Sequence, residues 1–292
     1  MEMLHYDFMQ RAFCAGGIIA LLASVLGVYL MLRRQALMAD MLSHISLAGV
    51  AAGAYLHINP TWMGFATAIM GSIGVEYVRK SYRTYSEISI AILMIGGLSS
   101  AVVLMSMNQS LNKSFSSYLF GSVVAVNSSE LAVLMTVALL GGSFFILLRR
   151  PLYQMLFDEE TARTNGLPVR WISLGFSVLT GMIVSAAMPV VGVLLVSSLI
   201  VLPAALAIRL ARSFKAALLL AMCIGLVGVG AGLTASFEWS TPPGGTIALA
   251  LLLFLMAGIT LKQAMLKWRQ AFNHQADKAV PGEKTGEFTR VS

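Results

Sequence analysis

Apolar residues run through this chain in long blocks, and short polar stretches interrupt them roughly every twenty residues. A helix needs about 20 apolar residues to cross a hydrocarbon layer about 30 Å thick. Blocks at 12–32, 35–56, 61–78, 87–107, 130–148, 170–188, 190–208, 216–235 and 246–261 have that span. The pattern predicts an all-α, polytopic membrane protein with eight or nine transmembrane helices. The count turns on the pair 170–188 and 190–208, whose connection falls to Met188, Pro189 and Val190; a broken or re-entrant helix there removes a crossing. The first block follows a polar head, Met1 to Arg11, and shows no small-residue cleavage signature, so it reads as a permanent span.

Composition strengthens this reading. Of 292 residues, 58% are hydrophobic and 11% charged, against about 25% charged in an ordinary soluble domain. So much apolar surface cannot be hidden inside a water-facing fold of this size, and a soluble globular protein is excluded. The placement of basic residues sets the orientation, because cytoplasmic loops retain Lys and Arg. With the N-terminus outside, 18 of the 20 Lys and Arg fall on the inner side, and only Arg11 and Lys113 fall outside. That frame gives nine crossings and a cytoplasmic C-terminus. The net charge of +7 is not gathered into a basic run interleaved with aromatics, so no nucleic-acid partner is expected. Residues 1–269 read as one transmembrane domain and 270–292 as a disordered cytoplasmic tail.

Three connections exceed a minimal turn. Residues 108–129 lie outside and hold an apolar piece too short to cross. Residues 149–169 lie inside and form the one long charged connection before the tail. Residues 236–245 lie outside and close on Pro-Pro-Gly-Gly.

Chemistry-bearing residues inside the blocks are few. Asp40 stands out, because a carboxylate near the bilayer centre costs roughly 2.5–3.5 kcal/mol on insertion scales. His44 follows four residues later, which stacks imidazole and carboxylate on one helix face about 6 Å apart. Mixed nitrogen and oxygen donors of this kind suit a divalent transition metal. The competing reading is an aspartate neutralised by Arg33 and Arg34, beside a histidine satisfied by a neighbouring helix. His5 and His57 read as interface residues, Glu76 as the partner of Arg79 and Lys80, Glu87 as a helix-start acid and Glu238 as a solvated loop acid. Gly225, Gly228, Gly230 and Gly232 predict close helix contact along the eighth span. Pro189, Gly192 and Pro203 supply breaks of the kind that lets irregular backbone line a cavity. Cys14 and Cys223 stand alone in apolar runs and read as packing residues, and the 18 methionines follow no repeated pattern. Phosphate-loop, zinc-hydrolase and nucleophile-elbow motifs are all missing, so the chain is not expected to be an enzyme or to hydrolyse ATP itself.

Over residues 8–262 the sequence resembles the membrane permease of zinc/manganese ABC importers. The resemblance is carried by Leu32 to Asp40 leading into Ser43-His44, by Tyr118-Leu119-Phe120-Gly121-Ser122, by Phe157-Asp158 through Ala162 and Gly166, and by Pro189-Val190-Val191-Gly192 through Pro203-Ala204. It implies a multi-pass protein of the bacterial plasma membrane, acting as a homodimer with two cytoplasmic ATPase subunits and an extracellular metal-binding protein. No permanently bound cofactor is implied; Zn2+ or Mn2+ is cargo. Asp40 and His44 map onto the metal path. Phe157, Asp158, Glu159, Ala162 and Gly166 map onto the coupling helix, which seats in a groove of the ATPase. The wording of residues 30–60 is closest to the zinc-uptake branch, with a manganese or iron permease of the same type as the alternative. A proton-coupled secondary carrier, with Asp40 and His44 relaying protons, is the competing class.

Overall fold

A computed structural model describes residues 7–81, 86–107, 117–122 and 127–279. The described residues form helices and no strands. In chain order they are α1 (Asp7–Leu32), α2 (Met38–Tyr55), α3 (Pro60–Ser81), α4 (Ser86–Ser106), α5 (Ser128–Leu147), α6 (Arg149–Phe157), α7 (Glu159–Thr164), α8 (Val169–Val191), α9 (Val193–Leu210), α10 (Phe214–Trp239) and α11 (Pro243–Ala279).

Local signals fix several helix starts. Pro60 opens α3 with Asn59 accepting from the Thr61 amide at 3.0 Å, as a first-turn proline and its cap should. Asn127 and Glu130 form a reciprocal capping box at α5. The Ser213 hydroxyl accepts from the Ala216 amide at α10. Between α8 and α9 the chain turns on Gly192 alone, at φ 90° and ψ 150°, a region closed to other residues. Pro189 lies inside α8, so the break comes at Gly192 and not at Met188–Val190 where the sequence suggested it.

Seven of these helices, α1, α4, α5, α8, α9, α10 and α11, are long and apolar enough to cross a membrane. The eight or nine spans read from the sequence differ from this number because of α2 and α3. They are as long, but they carry Asp40, Ser43, His44 and Ser46, and Thr67, Ser72, Glu76 and Arg79. Much of α2 is buried against α3, α4, α8 and α9. A helix enclosed by protein can hold polar groups that lipid would not tolerate.

The fold is two helix groups joined by a central layer. One group is α2–α3–α4 and the other is α9–α10–α11; α8 packs between them, and α1 packs on α9 and α10 and against α5 and α8, α1 and α8 being the most enclosed of the apolar helices. The main apolar core runs through all of these, with Tyr29 stacked on Phe145 at 5.2 Å and edge-on to Phe214 at 5.4 Å. Glycines bring backbones together at the joints. A Cβ on Gly27 of α1 would lie 1.9 Å from the Ile200 carbonyl oxygen of α9. The predicted glycine contacts of α10 are real for three of four positions: Gly225 faces Ser24, while Gly228 and Gly232 face Leu251 and Ile247 of α11. Gly230 meets nothing within 4 Å.

One reading is corrected. Cys14 and Cys223 are exposed on helix surfaces instead of packed inside; in an apolar helix the face that meets lipid is as hydrophobic as the core, so sequence does not separate them. Further on, α11 continues past residue 270 to Ala279. No proline or glycine interrupts Lys262 to Ala279, and the first breaker is Pro281. Residues 280–292 lie outside the described residues. So do 108–116 and 123–126 of the long outer connection. The part between them makes a helical turn at 117–120 and sits on the α8–α9 junction, where the Ser122 amide donates to the Pro189 carbonyl at 3.3 Å.

Candidate functional site

Asp40 occupies the first turn of α2 and His44 the next turn on the same face. His44 Nε2 lies 3.8 Å from Asp40 Oδ1, with side chains 12% and 32% exposed. The pair is therefore sheltered yet reachable. Ser197 of α9 donates to Asp40 Oδ1 at 3.2 Å, and the Ser43 hydroxyl donates to the Asp40 carbonyl at 2.7 Å. His44 Nδ1 is buried with no hydrogen-bond partner among the described residues. Leaving a buried polar atom unsatisfied costs about 1–3 kcal/mol, so a stable fold keeps few of them without a use. One imidazole, one carboxylate and one hydroxyl make an open set that a divalent cation can enter and leave. No group of three or more His, Cys, Asp and Glu suited to a metal exists among the described residues. Of the two arginines that the competing reading sets against Asp40, Arg33 is engaged elsewhere: it donates to Ser173 of α8 at 2.9 Å and stacks over the Phe176 ring at 5.0 Å.

The inner connection folds as α6 and α7. Asp158 caps α7, accepting from the Thr161 amide at 3.0 Å and from its hydroxyl. Those bonds hold the exposed Asp158 carboxyl below the ordinary carboxylate range. The C-terminus of α7 closes as a Schellman motif: the Leu167 amide donates to Ala162 and the Gly166 amide to Arg163, with Gly166 at φ 80°. No neighbour crowds Gly166, so its role there is conformational. Glu159 pairs loosely with Arg163 at 3.9 Å. Ala162 is buried within this chain, and Phe157 is 69% exposed beside Tyr153. Of the five residues mapped to coupling, Phe157 offers an apolar contact outward, Glu159 a charge, and Asp158 and Gly166 shape the helix.

Sequence reading gave the Glu76–Arg79 pair but missed Ser197, and missed that Arg33, Ser173 and Ser177 join that pair in a second polar cluster. Glu76 of α3 is buried and accepts from Arg79 at 2.9 Å and from Ser177 at 3.3 Å; Arg79 also donates to Ser173 at 3.0 Å. Burial and the charge of Arg79 pull the Arg33 guanidinium down to about 10, opposed by Glu76 and Glu159. A signal was present: Ser173, Ser177, Gly181 and Ser185 recur every four residues on α8 as a small, polar stripe.

A profile of the ABC 3 transport family matches residues 5–262. The chain belongs to this family. It is a membrane permease of the ABC 3 type, multi-pass in the plasma membrane and not itself an enzyme. It is 33% identical over 261 residues to the "Probable metal transport system membrane protein" of Treponema pallidum (strain Nichols), covering 89% of this chain and 98% of that one. It is 30% identical over 258 residues to the manganese transport system membrane protein MntC of Halalkalibacterium halodurans, covering 88% of both. Among solved structures, PsaBC from Streptococcus pneumoniae in complex with Fab superposes with a TM-score of 0.77 at 25% identity, over 87% of this chain and 91% of that chain.

Proposed function

We propose that this ABC 3 permease carries a divalent transition metal inward, driven by cytoplasmic ATPase subunits, with Asp40 and His44 as its transit site. The observation that carries this reading is the sheltered carboxylate–imidazole pair on α2, held by Ser197, with a second imidazole nitrogen unsatisfied. Two strong ligands suit a site that must release what it binds; four would hold it. All nine long helices cross the membrane in this reading, with the N-terminus outside, the C-terminus inside and α6–α7 on the ATPase side. A second copy of the chain completes the transporter, and an extracellular metal-binding protein delivers the ion. Manganese is the cargo favoured by the relative named for it. Zinc, preferred from the wording of residues 30–60, is the competitor.

Uptake into membrane vesicles holding the chain and its ATPase separates these readings. ATP-driven Mn2+ uptake that excess Zn2+ fails to suppress supports manganese, and the reverse order supports zinc. Uptake that needs no ATP and collapses with a protonophore overturns the ABC reading in favour of a proton-coupled carrier.

A further inference from the structure

Glu76, Arg79, Arg33, Ser173 and Ser177 tie three helices together away from Asp40. Arg33 follows the end of α1, Glu76 and Arg79 lie late in α3, and the two serines lie early in α8. Their bonds are short: Arg79 to Glu76 at 2.9 Å, Arg79 to Ser173 at 3.0 Å, Arg33 to Ser173 at 2.9 Å and Ser177 to Glu76 at 3.3 Å. Glu76, Ser173 and Ser177 are buried.

Helix register sets the depth of this cluster. A Cβ on Gly53 would meet Pro60 and Met63, and one on Gly71 would meet Ile45, so α3 runs antiparallel to α2. Likewise Gly181 faces Ser72, while Ser177 meets Glu76 and Ser173 meets Arg79, so α3 runs antiparallel to α8. Hence α2 and α8 are parallel, and the Ser46–Ser185 hydrogen bond of 3.1 Å marks one common level. Counted back from it at 1.5 Å per residue, Asp40 lies about 9 Å away along α2, and Ser177 and Ser173 about 12 and 18 Å away along α8. The cluster therefore lies about 3–9 Å beyond Asp40, toward the end of α8 that follows α7.

Its charge is unbalanced. Arg33 and Arg79 lie beside the buried Glu76, while Glu159, the other carboxylate acting on Arg33, is half exposed and shared with Arg163; Arg33 Nη1 is buried with no hydrogen-bond partner among the described residues. Buried ion pairs contribute little net stability compared with an apolar replacement, so an under-neutralised one is poorly explained as a structural staple. A surplus positive charge next to the path of a cation is a barrier to that cation.

We propose that Arg33, Glu76, Arg79 and Ser173 form an ionic clasp that closes the inner side of the metal path beneath Asp40 and His44. Closed, it holds α1, α3 and α8 together, and its surplus charge repels a cation that has passed the transit site. Opening separates α8 from α3, breaking the bonds of Ser173 and Ser177 and admitting water. Because α8 follows α7 directly, a displacement of α7 by a partner reaches Ser173 within three turns of helix. This rests on reading Asp40 and His44 as the path, and its test uses neither metal nor ATP.

The test is thiol accessibility in the full chain with Cys14→Ser and Cys223→Ser, carrying Ser197→Cys beside Asp40. A membrane-impermeant methanethiosulfonate is applied to inside-out and to right-side-out membrane vesicles. With the clasp intact, the introduced thiol is labelled slowly from the inner side. Glu76→Gln removes the carboxylate that Arg79 bonds and that lies near Arg33, and should speed inner-side labelling by about 10-fold or more, with outer-side labelling unchanged. The reversed pair Glu76→Arg with Arg79→Glu restores opposite charges and should restore slow labelling. Equal inner-side rates with and without Glu76→Gln overturn the clasp. So does faster labelling from both sides, or a reversed pair as fast as Glu76→Gln, because those report general loosening. A failure of ATP-driven uptake, in contrast, overturns the transport reading and leaves the labelling result standing.

Discussion

Gly27→Ala gives the sharpest test of how the bundle is packed. The new methyl carbon would lie 1.9 Å from the Ile200 carbonyl oxygen and 2.9 Å from its carbon, both backbone atoms that no rotamer change can move. Ordinary contact starts near 3.4 Å, so α1 and α9 must separate by about 1.5 Å at this point. A gap of even 0.5–1 Å forfeits about a quarter to a half of each dispersion well, and overpacking by one methyl costs about 1–3 kcal/mol, occasionally more. This site belongs at the upper end, about 3 kcal/mol. Alanine returns up to about 1 kcal/mol of helix propensity, leaving a loss of about 2 kcal/mol or more. At roughly 2–3 °C per kcal/mol for a chain of this size, Tm should fall by about 5 °C. Gly230→Ala is the control, since nothing lies within 4 Å of that position. Its Tm should not fall. The assay is thermal unfolding of the detergent-solubilised chain, read by loss of its monodisperse chromatographic peak. Equal Tm values for Gly27→Ala and Gly230→Ala would refute the close approach of α1 and α9.

Three further outcomes follow from the site. Phe157→Asp should release the ATPase from the purified complex while leaving the chain's own Tm unchanged, because the ring is 69% exposed; Ala162→Arg cannot serve here, since Ala162 is buried within the chain and the variant would disturb α7 itself. Ser197→Ala removes the donor to Asp40 and should raise the metal concentration for half-maximal uptake by about 10-fold or more, as loss of a ligand's supporting hydrogen bond commonly does. Asp158→Ala should speed tryptic cleavage after Arg163 by freeing α7, whereas Asp158→Asn keeps a capping oxygen and should cleave at the original rate.

Most of the helices were legible in the sequence because lipid imposes a length and an apolar content on whatever crosses it. The windows at 35–56 and 61–78 correspond to α2 and α3 even though both carry polar groups the other long helices lack; α2 accommodates its own by burial against α3, α4, α8 and α9. The Asp40–His44 pair was legible because its partners stand four residues apart, within the reach of helix periodicity. Ser197 was not, being 157 residues from Asp40, nor was Arg33–Ser173 at 140 residues. Such contacts depend on which helices become neighbours, and periodicity along one helix does not carry that information. The four-residue stripe on α8 announced a polar face but not what faced it. Ala162, buried against its own chain, shows the same limit, because the spacing along α7 does not say which neighbour covers it.

The central claim is that metal crosses through Asp40 and His44, and ATP-driven uptake by single-site variants tests it most directly. Vesicles containing the ATPase and either the unaltered chain, Asp40→Asn or His44→Ala should be compared for Mn2+ and Zn2+ uptake at equal protein content, with retained ATPase association confirming assembly. The account predicts uptake by the unaltered chain and its loss in both variants, because each removes one of the two strong ligands and leaves the cation uncompensated in a sheltered path. Undiminished uptake by both variants would contradict it and return Asp40 and His44 to the role of an ordinary helix pair.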